Sequence, residues 1–148
     1  MRTGAKAFVL FAVAGLCLVL AATGFAGKKT KRVSVVVDAT SATIVKGSKQ
    51  KQLQVGAQLD STFARCERQR TVLLYRSANG ALSGPALGKA TSQGGGDKGR
   101  VTITGTSSTK IKPTDEFLAI AAQRKVKIKG KAFVCKRGVS AAFSANSV

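Results

Sequence analysis

The chain has no histidine, so the side chain that most often serves as a general base near neutral pH is missing. Carboxylates are nearly as scarce: Asp38, Asp60, Glu67, Asp97, Asp115 and Glu116 are the whole supply in 148 residues. Only Asp115 and Glu116 are adjacent, and neighbours on a strand point to opposite faces, so they make no acid–base pair. Hydroxyls such as Ser107, Ser108 and Thr109 have neither a paired base nor a nucleophile-elbow motif. These absences argue against an enzyme, and the expectation is no catalytic residue. A closed zinc site wants four ligands, and two cysteines, Cys66 and Cys135, in a chain without histidine are a poor start on one, so no metal is expected either. Aromatics are few, and Phe63, Tyr75, Phe117, Phe133 and Phe143 mostly sit in strand-like core positions. Without exposed stacking platforms, specific nucleic-acid recognition is not expected.

What is present begins at residues 1–26. Arg2 and Lys6 form a basic head, residues 7–22 are an almost unbroken apolar run, and Gly24-Phe25-Ala26 supplies small residues at the positions a signal peptidase reads. This layout predicts a helical secretory signal peptide. The alternative is retention as a membrane anchor with the domain facing outside, since the run approaches the ~17–25 residues needed to span a bilayer. Cleavage removes Cys17 and leaves Cys66 and Cys135, an even pair in an oxidising compartment. Their disulfide would close a loop of about 70 residues, for which the chain-entropy model gives roughly 4 kcal/mol. The 120 or so residues that remain suit one domain.

Charge is the second global signal. Lys and Arg number 25 against 6 acids, a net +19, and losing Arg2 and Lys6 leaves 23 against 6, or +17. Such a field concentrates anions and speeds encounters with anionic partners. Outside a cell those are anionic cell-wall polymers, polysaccharides and membrane surfaces; the plainer reading is a solubilising surface.

Residues 27–32 (GKKTKR) read as a flexible basic lead-in to a domain over 33–148. Strand signals recur at roughly 8–15-residue spacing, as in a β-sandwich. Residues 33–38 are β-branched, 52–59 alternate Leu53, Val55, Ala57 and Leu59 against polar partners, and 71–76 form a short apolar run. Asn79-Gly80 marks a turn that further glycines and Pro85 extend. A weaker strand covers 86–92, a glycine loop 93–99, and alternation resumes over 100–105. Residues 112–115 are turn chemistry, and 116–127 read as one strand despite good helix propensity. Strands over 132–135 and 139–143 finish the domain.

Gly94-x-Gly96-x-x-Gly99 matches a dinucleotide fingerprint by letter, but a strand follows it where a helix must begin. The segment 84–89 is no phosphate loop, because its glycine spacing is one short and Ala90 stands where a magnesium-binding hydroxyl belongs. No cofactor is expected. The basic clusters remain. Arg65, Arg68 and Arg70 surround Cys66, and Lys136 and Arg137 follow Cys135, so the disulfide would gather five cations that repel without a counter-anion or solvation. Lys125, Lys127, Lys129 and Lys131 alternate with Val126, Ile128 and Gly130, which predicts four ammonium groups along one face of a strand or hairpin. These nine residues are the candidate anion site; a solvated edge whose lysines block strand pairing is the other reading.

Residues 66–143 also carry an ordered set of motifs: Cys66, the strand Arg70-Thr71-Val72-Leu73-Leu74-Tyr75-Arg76, then Leu87-Gly88-Lys89-Ala90-Thr91. Gly99-Arg100-Val101-Thr102-Ile103, Phe117-Leu118-Ala119, Cys135 and Ser140 complete it. This order resembles a group of small secreted bacterial β-sandwich proteins related to carboxypeptidase-regulatory-like and CNA-B-type domains. The resemblance implies an Ig-like or transthyretin-like sandwich of about seven strands with one disulfide. It implies a structural or adhesive module and no active site. The expected function is thus a secreted non-enzymatic protein of structural or interaction type, or alternatively a binding module for anionic extracellular polymers or membrane surfaces.

Overall fold

The computed structural model describes residues 30–145; the leader over 1–26 and the start of the basic lead-in lie outside the described residues. Within them the chain is all-β apart from one 3₁₀ turn at Ala64–Cys66. The strands are β1 (Lys31–Val33), β2 (Val36–Ile44), β3 (Gln52–Asp60), β4 (Thr71–Ala78), β5 (Ala81–Thr91) and β6 (Arg100–Thr106). They continue as β7 (Glu116–Ala121), β8 (Arg124–Ile128), β9 (Lys131–Cys135), β10 (Gly138–Val139) and β11 (Phe143–Ser144). Three sheets result: β2-β3-β6, β10-β7-β4-β5 with β11 also on β7, and β1-β9-β8.

Eleven strands replace the expected seven or so, because two predicted strands divide where the chain changes sheets and a third divides along β7. The stretch over 33–38 splits between β1, parallel to β9, and β2, antiparallel to β3. Lys31 and Arg32, read as flexible lead-in, therefore belong to a paired strand. The stretch over 116–127 splits at Ala122-Gln123, with β7 beside β4 and β8 in the small sheet. No glycine or proline marks either switch, so local chemistry gave no sign of it. Residues 139–143 lie across two short pairings, β10 and β11, both with β7.

Asn79 and Gly80, with φ of 53° and 76°, close a two-residue β4–β5 hairpin, which requires left-handed backbone at both positions. The turn ends there, contrary to the extended turn expected through Pro85. Gly84 and Pro85 instead fall in an irregularity between the Leu74–Gly88 and Arg76–Ser83 pairs of β5. Proline is tolerated because β5 is an edge strand.

Alternation builds the core. Leu53, Val55, Ala57 and Leu59 of β3 and Val101 and Ile103 of β6 are buried, while their sequence neighbours face outward. They merge with Val72 and Leu74 of β4 and with Phe117, Ala119 and Ala121 of β7. Each fully buried Leu, Ile or Phe is worth about 1.5–3 kcal/mol. β5 passes so near β6 that a Cβ on Gly88 would collide with the Thr104 carbonyl, and one on Gly105 would lie 2.6 Å from Leu74 Cδ2. Glycine at both places lets these strands close the sandwich.

Candidate anion-binding site

The β1-β9-β8 sheet is fastened to this core at the turn around Cys66. The Cys66–Cys135 disulfide forms, spanning 69 residues with Cα atoms 5.4 Å apart, and both cysteines are fully buried. Phe63, just before the 3₁₀ turn, stacks on Phe133 of β9 with ring centroids 5.0 Å apart.

Arg70 completes the junction. Its side chain is completely buried, and it donates to the carbonyls of Cys66 at 2.9 Å, Lys136 at 3.0 Å and Ala122. One guanidinium thus ties the turn to the exits of both β7 and β9. Nearby carbonyls are capped in the same way. The Ser92 hydroxyl donates to Glu67 O at 2.5 Å, and Arg124 donates to Arg68 O at 3.0 Å and Gln69 O at 2.8 Å. A buried carbonyl left without a donor costs about 1–3 kcal/mol, so the bonds to Cys66 O and Glu67 O, the buried ones of this set, stabilise the turn most. Burial, and then the nearby Arg124, push the Arg70 guanidinium below its usual pKa.

Arg70 is therefore no anion ligand, contrary to the sequence expectation. Of the cations expected around the disulfide, Arg70 leaves the exposed set by turning onto backbone carbonyls, and the repulsion it still meets is with Arg124. Arg65 and Arg68 stay exposed on the turn.

The lysine series also divides. In the β8–β9 register Lys125 opposes Val134 and Lys127 opposes Ala132, whereas Lys131 opposes Ile128. Side chains opposite one another share a face, so Lys125 and Lys127 share one face and Lys131 takes the other. Lys129 sits in the hairpin turn with φ of 46°. Four ammonium groups on one face are thus two on a face, one at the turn and one behind. The reason is the turn at Lys129-Gly130, which folds the alternating run back on itself.

Two concavities gather the remaining cations. One, of about 430 Å³, is lined by Arg65, Arg68, Gln69, Gly94 and the four consecutive residues from Arg124 to Lys127. The second, of about 460 Å³, is lined by Arg32, Gln123, Lys125, Val134, Lys136 and Arg137. Lys125 borders both, and no carboxylate lines either. The ion pairs among the described residues, Arg76–Asp115 at 2.9 Å and the longer Arg100–Asp97 at 3.8 Å, lie elsewhere.

The structure thus brings together Arg65, Arg68, Lys125, Lys127, Lys136 and Arg137 of the expected set. Arg32 and Arg124 were missed. Arg32 stood in a segment read as flexible, and the Arg124 signal was hidden because nothing in the local sequence announces the break at Ala122-Gln123. No protein-family model matches the chain, and no curated protein is significantly similar to it.

Proposed function

We propose that this is a non-enzymatic extracellular β-sandwich of interaction type that binds anionic polymers through the β1-β9-β8 sheet. The observation that carries the reading is the pair of carboxylate-free basic concavities sharing Lys125. Two of the cations in the first, Arg65 and Arg68, are exposed arginines, whose planar fork suits carboxylate and phosphate oxygens. A merely soluble surface has no need to assemble cations from four separate segments against their mutual repulsion. The disulfide supports an oxidising, extracellular setting. The resemblance to carboxypeptidase-regulatory-like and CNA-B-type modules, with an Ig-like sandwich, supports an adhesive rather than catalytic role.

The test is retention on a heparin matrix. Diffuse charge releases below about 0.2 M salt, where exposed charges are heavily screened. Wild type is expected to elute above that, and the variant Arg65→Gln/Arg68→Gln/Lys125→Gln/Lys127→Gln below it. A control of equal charge loss, Lys51→Gln/Lys89→Gln/Lys98→Gln/Lys110→Gln, keeps the wild-type position. Equal loss in both variants sinks the reading.

A further inference from the structure

Four consecutive residues of β8 line the first concavity. Side chains alternate along a strand, so four in a row border one hollow only along the strand's edge. β8 is the last strand of its sheet, and among the described residues no strand pairs with its outer side.

The hairpin register fixes what that edge presents. Ile128 and Lys131 flank a two-residue turn whose residues, Lys129 and Gly130, have φ of 46° and 75°. The closing pair of such a hairpin is the hydrogen-bonded kind, and the kinds alternate along an antiparallel ladder. Ile128, Val126 and Arg124 therefore bond to β9. Lys125 and Lys127 turn their peptide N–H and C=O groups to the free side, into the hollow, about 6.6 Å apart at ~3.3 Å per residue.

We propose that β8 captures an acidic polypeptide segment by strand addition, the peptide extending the sheet while its carboxylates meet Arg65, Arg68, Lys125 and Lys127. This rests on the anion-binding reading above and names the partner's chemistry. The choice of a polypeptide follows from the edge itself. Its carbonyls repel a chain that carries only anionic oxygens, whereas a peptide strand answers each carbonyl with an N–H and each amide with a C=O. The surrounding cations reject a basic strand, including a second copy of this chain, and admit an acidic one. A membrane surface fits poorly, because the exposed large apolar residues Val36, Leu82 and Val139 lie on β2, β5 and β10.

The experiment titrates the protein with a fluorescent blocked peptide of about eight alternating Glu and Thr residues, read by anisotropy. The same peptide N-methylated at every residue, and inorganic polyphosphate of matched charge, are run beside it. Both comparators are expected to bind at least about tenfold more weakly, since neither can complete the ladder. Lys127→Pro removes an outward N–H that β9 does not use, and it is compared with Lys127→Gln, which removes the charge alone. A loss at least about tenfold beyond that of the glutamine variant is expected. If Lys127→Pro disturbs folding by circular dichroism, the N-methylated comparison decides. Equal binding of all three ligands, lost in the fourfold groove variant, overturns strand addition and leaves anion binding standing. Binding untouched by that variant overturns both.

Discussion

β3 buries Leu53, Val55, Ala57 and Leu59 completely, whereas β8 has no buried residue at all: Arg124, Val126 and Ile128 are half-covered and Lys125 and Lys127 exposed. The two larger sheets therefore hold through apolar burial. The β1-β9-β8 sheet, with only Val33 and Cys135 buried, holds through a disulfide, an aromatic stack and a buried guanidinium. Freed from the need to bury one face, a sheet fastened this way can carry cations along its edge and outer surface. The molecule thus separates the residues that make it stable from those that carry its exposed cations.

The comparison breaks most sharply at the disulfide. Cys66→Ala/Cys135→Ala should cost about 4 kcal/mol in urea unfolding, with amide exchange rising first in β8 and β9 and last in β3. Uniform loss of protection would mean that the small sheet is as self-supporting as the core. Arg70→Met comes next. It fills the volume but strands three carbonyls, so a loss of roughly 2–4 kcal/mol is expected, and Arg70→Lys recovers only part because one ammonium does not reproduce the planar fork. A methionine variant as stable as wild type refutes the guanidinium's role as a fastener.

A smaller loss, of about 1–3 kcal/mol, is expected for Gly88→Ala, which overpacks the contact of β5 with β6. It acts on the other side of the comparison, so heparin retention of the folded protein should not change. The smallest effect is with pH. Burial lowers the Arg70 guanidinium from a value far above neutrality. A depressed base destabilises the fold while charged, and that cost lifts only as pH rises through the folded pKa. With no histidine to titrate, thermal midpoints between pH 6 and 8 should be flat.

The core was largely legible because period-2 alternation at 52–59 and 100–105 and the Asn79-Gly80 turn are local signals. The Cys66–Cys135 bridge followed from arithmetic once residue 17 was set aside. The division at Ala122-Gln123 was not legible, since it is imposed by pairing of Ala122 N–H with Thr71 O and by Arg70 on the Ala122 carbonyl, partners about 50 residues away. Arg70 itself looked like one more surface cation among Arg65 and Arg68. Its burial depends on three carbonyls that converge only after the sheets assemble. The fold of Lys125 to Lys131 into a hairpin rested on a single glycine, Gly130, with Lys129 forced into left-handed backbone beside it.

Anion binding at the β8 edge is tested most sharply by a hydrogen-exchange footprint of the intact protein with a heparin oligosaccharide, taken at about 0.15 M salt where diffuse attraction is screened. Slowed exchange is expected at residues 65–69 and 124–127, with β2, β3 and β6 unchanged. Protection spread evenly over the basic surface, or centred on any other face, would contradict it.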